Sequence, residues 1–214
     1  MNETKTRTVT GAIFGAVVIG AVLLSPWTNA VLWTVVGALG WREMHSGTQS
    51  KNWGLRIAFA VALAGWVYVM CQLAWDASGI HAPGQVLGLL ILIWSNDSGA
   101  YFVGKPLGKH KLMPAVSPGK SWEGFLGGAF FAALAAGILL GWHALWMGPL
   151  IAVLATTGDL LESAWKRTNG IKDSGSLMPG HGGVLDRFDG FTIAAPVYAL
   201  ILHLYPFQFN FPFE

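Results

Sequence analysis

Most of the acids and bases in this sequence lie in two stretches. The chain of 214 residues has 13 lysines and arginines and 11 aspartates and glutamates. Nine of them fall in one stretch: Asp159, Glu162, Lys166, Arg167, Lys172, Asp173, Asp186, Arg187 and Asp189. Six more fall in another: Asp97, Lys105, Lys109, Lys111, Lys120 and Glu123. Carboxylates hold Mg²⁺ and cations balance charge on phosphates, so the stretch from Asp159 to Asp189 is typical of metal-dependent phosphoryl or nucleotidyl transfer.

The first stretch predicts a polar helix face joined to a glycine-rich loop. If the helix continues to about Arg167, four polar side chains recur at i, i+3, i+4 and i+7 and share one face: Asp159, Glu162, Ser163 and Lys166. Asp186 and Asp189 stand three apart at the start of the last apolar segment and share a face in the same way. Glycines around His181 would let backbone N–H groups approach a phosphate. Interface charges that pair with one another and with lipid headgroups are the structural alternative.

The second stretch combines an acid in an apolar run with a basic loop. Asp97 should be buried and compensated, either by contact with a metal or a substrate hydroxyl or by a polar network within the helix. The lysines should attract phosphate anions, or they mark only the cytoplasmic side of the membrane. Gly119-Lys120-Ser121 ends like a phosphate-binding Walker A loop, but Pro114 stands where its first glycine is required.

The apolar remainder predicts an all-α, polytopic integral membrane protein with about six or seven transmembrane helices. Hydrophobic residues make up 53% of the chain and charged residues 11%. Segments near the bilayer-spanning length of about 20 residues are 9–25, 53–75, 84–103, 121–141, 143–165 and 190–206. The shorter segment 30–41 is either a tilted span or a re-entrant pair. The single cysteine, Cys71, excludes an intramolecular disulfide, and a net charge of +2 does not favour nucleic acid as a partner.

Lysines and arginines predict the orientation. Seven spans with the N-terminus inside place every loop that contains Lys or Arg on the cytoplasmic side, together with both charged stretches. The alternative is a cleaved signal peptide ending near Thr28-Asn29-Ala30, which would remove the first span.

Two motif blocks resemble one enzyme family. The first block contains Ser163-Ala-Trp-Lys166-Arg167, Lys172-Asp173-Ser-Gly, Pro179-Gly-His181-Gly-Gly and Asp186-Arg187-Phe-Asp189, preceded by Gly158-Asp159. The second contains Ser95-Asn-Asp97-Ser-Gly-Ala-Tyr101, Gly108-Lys109-His110-Lys111 and Ser117-Pro-Gly119-Lys120-Ser-Trp-Glu123-Gly. Both resemble the phosphatidate cytidylyltransferases, or CDP-diacylglycerol synthases. Gly119 stands where that family more often has a basic residue.

The resemblance implies transfer of a cytidylyl group from CTP to phosphatidate, giving CDP-diacylglycerol and pyrophosphate. It treats residues 1–214 as one transmembrane domain whose cytoplasmic loops 104–120 and 166–189 form the site. The implied catalytic residues are Asp159, Lys172, Asp173 and Asp186, and the implied Mg²⁺ ligands are Asp159, Asp186 and Asp189, with a second cation left open. The implied substrate-binding residues are Asp97, Lys105, Ser117, Lys120, Ser163, Lys166, Arg167, His181, Gly182, Gly183 and Arg187. A homodimer in the bacterial inner membrane is implied as well.

Three other interpretations stay open at this point. The chain is short for the family, so a related enzyme using another lipid phosphate is the nearest alternative. A transporter or channel would use Asp97, Asp159 and Asp186 as ion or proton sites, but no internal repeat supports it. A CDP-alcohol phosphotransferase would also use clustered aspartates, but its motif is absent, since Asp189-Gly190 is followed by Phe-Thr-Ile-Ala.

Overall fold

The computed structural model describes residues 3–49, 53–177, 182–205, 207 and 209–211. Its helices are α1 (Glu3–Leu24), α2 (Pro26–Gly47), α3 (Trp53–Gln72), α4 (Pro83–Leu107), α5 (Trp122–Leu140), α6 (Met147–Thr168), α7 (Leu185–Phe188) and α8 (Phe191–Leu204). The strands β1 (Lys111–Met113) and β2 (Ser117–Ser121) lie between α4 and α5, and a single 3₁₀ turn, Trp142–Ala144, precedes α6.

The helices agree with an α-helical membrane protein. Among the described residues, three segments are long and apolar enough to cross a bilayer: Pro83–Leu107, Trp122–Leu140 and Trp142–Thr168. Val9–Leu24 and Arg56–Gln72 are shorter apolar helices. The predicted number of six or seven spans therefore stays a prediction.

The chain forms two compact units. The first consists of residues 1–83 and 165–189, and the second of residues 84–164 and 190–214. Helix α6 contributes its residues up to Ala164 to the second unit and its last turn to the first.

The first unit packs the short helix α7 against an aromatic cluster. Phe188 lies with its ring centroid 5.3 Å from Trp33, 6.2 Å from Trp66 and 5.6 Å from Phe14. The Trp33 indole N–H donates to Asn29 Oδ1 at 2.8 Å, so this buried polar atom is satisfied. The cluster fixes the position of α7, a four-residue helix too short to be stable alone.

The second unit brings α4 and α5 into close contact through small residues. An added Cβ on Gly104 would lie 3.1 Å from the Gly124 Cα, and one on Gly99 would lie 2.8 Å from the Gly127 carbonyl. The two backbones can approach this closely because glycine has no side chain. This approach places the ends of both helices next to the β1–β2 hairpin.

Hydrogen bonds attach the β1–β2 hairpin to the start of α5. β1 and β2 pair antiparallel, with Lys111 opposite Ser121. The Ser121 hydroxyl accepts a hydrogen bond from the Gly124 N–H at 3.1 Å and caps the helix. The Glu123 carboxylate accepts hydrogen bonds from the backbone N–H groups of Lys109 and His110, at 3.1 and 3.2 Å. These contacts hold β2, and with it Lys120.

The structure corrects three expectations. The segment 30–41 belongs to one continuous helix, α2, which begins at Pro26 with a Ser25 capping box, so a re-entrant pair is wrong. Loop 104–120 is not all loop, because α4 runs to Leu107 and a hairpin follows. Asp186 and Asp189 do not begin the last long helix: Asp186 lies in α7, Asp189 caps it, and α8 starts at Phe191.

Candidate active site

Asp159 and Lys120 form an ion pair in the second unit. Lys120 Nζ contacts Asp159 Oδ2, and about 30% of each side chain is exposed (27% and 31%). The Ser163 hydroxyl donates to Asp159 Oδ1 at 3.2 Å from the next turn of α6. The i, i+4 relation predicted for this helix face is therefore confirmed, and β2 supplies the cation.

A cavity of about 510 Å³ lies beside this pair, within the second unit. Lys105 and Lys120 supply positive charge to its lining, and Leu112, Phe125 and Ala100 supply apolar surface. Lys105 Nζ donates to the Tyr101 hydroxyl at 2.9 Å and lies 5.1 Å from the centre of its ring. The cavity can receive an anionic group and an apolar one together.

Asp186 is a heavily hydrogen-bonded acid of the first unit. Lys166 Nζ donates to Asp186 Oδ1 at 2.6 Å, and only 10% and 8% of the two side chains are exposed. Asp186 Oδ2 accepts from the backbone N–H groups of Gly183 (2.7 Å) and Ser174 (2.9 Å) and from the Ser174 hydroxyl (3.0 Å). Burial raises the pKa of Asp186, but the hydrogen bonds, led by that from Lys166, outweigh burial and hold the pKa below its usual value.

Glu43 of α2 is a second buried acid in the same unit. Its carboxylate accepts from the Val184 N–H at 2.8 Å, the Leu185 N–H at 3.0 Å and the Ser174 hydroxyl at 2.9 Å. The residue is 9% exposed. Sequence patterns did not assign Glu43 to the site, although a lone acid directly after an apolar segment is a signal that could have indicated it, since such a residue needs a compensating partner.

Gly182 and Gly183 are required by the turn around Asp186. Gly182 has φ +83°, a left-handed conformation that disfavours a side chain. An added Cβ on Gly183 would overlap the Ser174 hydroxyl and the Glu43 carboxylate. The two glycines therefore allow two carboxylates to reach one stretch of backbone.

We expect Gly183→Ala to destabilise the protein by about 1–3 kcal/mol, because the added methyl must displace well-packed polar atoms. Equilibrium unfolding in detergent measures this difference. Gly65→Ala is the matched control, since an added Cβ there has nothing within 4 Å. Equal stability of Gly183→Ala and Gly65→Ala would contradict the close packing of the turn.

Other predicted site residues are placed but carry fewer contacts. Four of them are exposed: Arg167, Lys172, Asp173 and Arg187. The Arg167 guanidinium donates to the Ile171 carbonyl at 3.1 Å and so joins the last turn of α6 to the residues that follow it. Ser117 begins β2, and Asp189 is half-buried. His181 lies outside the described residues.

The expected burial of Asp97 is wrong. Asp97 lies on the exposed side of α4, and its neighbour Asn96 is the buried residue, at 4% exposure. The Asn96 side-chain amide donates to Asp97 Oδ1 at 3.2 Å. The apolar run predicted burial because a hydropathy pattern does not tell which side of a helix faces the protein.

The acids fit Mg²⁺ as individual donors. Mg²⁺ is typically bound by one or two carboxylates together with substrate phosphates and water. Asp159 and Asp186 each offer hard oxygen atoms that already lie against a cationic group. Within the described residues there is no group of three or more acids, histidines or cysteines that forms a complete metal site.

The fold and these contacts define a class. The molecule is a helical membrane protein in which Asp159 of α6 pairs with Lys120. Asp186, at the start of α7, pairs with Lys166 and accepts from the backbone of a neighbouring loop. This arrangement is suited to phosphate chemistry with a substrate that is partly apolar.

Comparison with known proteins then gives the family. Residues 55–205 match the model of the cytidylyltransferase family, and the chain belongs to that family. It is similar to the phosphatidate cytidylyltransferase of Pseudomonas aeruginosa, with 41% identity over 197 residues covering 86% of this chain and 69% of the relative. A Staphylococcus aureus protein of the same name is 33% identical over 217 residues, covering 94% and 82%. A Haemophilus influenzae protein of that name is 47% identical over 131 residues, covering 56% and 46%. The resemblance drawn from the two motif blocks is confirmed.

Proposed function

We propose that this protein transfers a cytidylyl group from CTP to phosphatidate, forming CDP-diacylglycerol and releasing pyrophosphate for phospholipid synthesis. Membership of the cytidylyltransferase family, with relatives named phosphatidate cytidylyltransferase, is the observation that carries this proposal. In the reaction a phosphate oxygen of phosphatidate bonds to the α-phosphorus of CTP. The bond from that phosphorus to the bridging oxygen of the β-phosphate breaks.

The cationic side chains bind and orient the two anions. Lys120 at the cavity and Lys166 beside Asp186 are held in place by acids, so their positions are fixed before substrate arrives. Exposed Arg167, Lys172 and Arg187 add positive charge that balances the triphosphate. A phosphate monoester is already anionic and nucleophilic at neutral pH, so the chemistry does not require a strong general base.

Asp159 and Asp186 are the proposed principal ligands of Mg²⁺, with Asp189 next and a second cation left open. When bound, the ion would supply charge stabilisation on the transferring and leaving phosphates. The Ser163 hydroxyl orients the Asp159 carboxylate, and the Gly183 N–H orients that of Asp186, each by donating a hydrogen bond. Asp173 and His181 are proposed as further contacts to phosphate or loop.

The cavity beside Lys120 is proposed to receive phosphatidate. Its lysines suit the lipid phosphate, and Leu112, Phe125 and Ala100 suit the glycerol and acyl portions. Ala100 and Phe125 lie within segments apolar enough to cross a membrane, so the lipid could enter sideways while CTP arrives from water. Six or seven spans, a cytoplasmic site, an N-terminus inside the bacterial inner membrane and a homodimer belong to the same proposal.

Release of pyrophosphate tests the proposed function. The purified protein in detergent should release pyrophosphate only when CTP, Mg²⁺ and phosphatidate are all present, and a CDP-lipid should form in equal amount. Leaving out each component in turn provides the controls. Release with a different lipid phosphate, but none with phosphatidate of any chain length, would reject phosphatidate as the acceptor.

A further inference from the structure

We propose that Glu43 is a positioning residue for the transfer reaction, holding the turn that presents Asp186. This inference rests on the proposed function, since it assigns Asp186 a role there. Glu43 lies on α2, before the stretch 55–205 that matches the family model.

The contacts of Glu43 lie directly around Asp186. Its carboxylate accepts from the backbone N–H groups of Val184 and Leu185, the residue pair that immediately precedes Asp186. Unpaired N–H groups at the start of a helix are satisfied by an acceptor placed there, and negative charge is favoured at that end. The acid thus fixes α7 from its N-terminal side, while Phe188 in the aromatic cluster fixes its other end.

The Ser174 hydroxyl connects the two acids. It lies 2.9 Å from Glu43 Oε2 and 3.0 Å from Asp186 Oδ2, and its single proton is shared between them. The backbone N–H of the same residue also donates to Asp186 Oδ2 at 2.9 Å. Displacing Glu43 therefore changes the bonding of Asp186 without touching Asp186 itself.

Glutamine cannot replace Glu43 at this site. Glu43 Oε1 accepts from the Val184 N–H, and Oε2 accepts from the Leu185 N–H. In Glu43→Gln, either orientation of the amide places an NH₂ group against a backbone N–H donor. One buried N–H loses its partner while the size of the side chain is kept.

The experiment compares Glu43→Gln with Thr28→Val, both in α2. Thr28 is half-buried, and its hydroxyl bonds the Ser25 and Ala21 carbonyls at the start of the helix, far along it from Glu43. Thr28→Val thus reproduces a loss of hydrogen bonds in α2 without altering the turn at Asp186 or the aromatic cluster that holds α7. Pyrophosphate release gives kcat, the KM for CTP and the Mg²⁺ concentration at half-maximal rate. Amide hydrogen exchange of peptides covering 172–177 and 182–188 gives a readout independent of activity.

For Glu43→Gln we expect kcat per folded protein to fall, or the half-maximal Mg²⁺ concentration to rise, by about 10–100-fold. Exchange should quicken at Val184 and Leu185 and also at Ser174 and Gly183, which bond Asp186. Thr28→Val should keep kcat, Mg²⁺ dependence and exchange at the turn close to those of the parent. Glu43→Asp keeps the charge with a shorter reach and should show a smaller loss, which covers the case in which Glu43→Gln folds poorly.

Three results would overturn the positioning role. Glu43→Gln and Glu43→Asp could keep parental kinetics and exchange. Activity could fall in Thr28→Val as much as in Glu43→Gln. The exchange change could stop at Val184 and Leu185 without reaching Ser174 and Gly183. Failure of the parent itself to form a CDP-lipid would instead reject the proposed function, and exchange at the turn would still decide whether Glu43 holds it.

Discussion

Replacing Asp159 with asparagine is expected to lower pyrophosphate release by about 100-fold or more, the largest effect on activity predicted for a single residue. Asparagine keeps the shape and accepts the Ser163 hydrogen bond, but it lacks the charge that holds a divalent cation and pairs with Lys120. The fold should persist, because the pair is partly exposed and contributes little to stability. Initial rates over a Mg²⁺ titration measure the loss.

Asp76→Asn is the matched control for this substitution. Asp76 Oδ1 accepts from the Ser78 and Ile80 N–H groups in an exposed turn, and asparagine can accept the same bonds. It should retain parental activity and stability. Parental turnover in Asp159→Asn, at equal amounts of folded protein, would rule out Asp159 as a metal ligand.

The largest effect on stability is expected for Lys166→Met. The Lys166–Asp186 pair is nearly buried, so removing the cation leaves an uncompensated carboxylate in a poorly solvated place. The free energy of unfolding should fall by about 3 kcal/mol, at the low end for buried pairs because Ser174 and Gly183 still donate to Asp186. Denaturant unfolding in mixed micelles, followed by tryptophan fluorescence, measures the change.

The double variant Lys166→Met/Asp186→Asn separates stability from chemistry. Neutral asparagine removes the unpaired charge, so most of the lost free energy of unfolding should return. Activity should stay low, because the carboxylate at position 186 is absent. A Lys166→Met protein as stable as the parent would show that the pair is not a buried interaction of this kind. Full activity in the double variant would exclude Asp186 from the site.

Local patterns predicted the helices and one face of the candidate site. The position of Ser163 four residues after Asp159 follows from helical periodicity alone, and the structure joins them by a hydrogen bond. The family assignment came from motif residues that are close in sequence. Helices α4, α5 and α6, which lie in segments long and apolar enough to cross a membrane, were predicted because a long apolar run has few alternatives.

Contacts between distant parts of the chain were not predictable. Glu43 meets Ser174 across 131 positions, and no local pattern specifies that encounter. The hairpin at 111–121 was also missed, because Ser-Pro-Gly-Lys has no strand alternation and its pairing depends on Glu123 and Ser121 at the start of α5. The predicted burial of Asp97 was wrong for a related reason, since the packing of α4 decides which side of the helix is covered.

The aromatic cluster around Phe188 has a consequence for how the charged turn evolves. Asp186 shares a single helical turn with Phe188, whose ring contacts Trp33 and Trp66. A hydrocarbon contact therefore sets the direction in which a carboxylate points. Substitution of these aromatic residues would change the orientation of the Asp186 carboxylate as well as the packing of the core. The aromatic residues of α2 and α3 are therefore constrained by the role of Asp186, although they take no part in the reaction themselves.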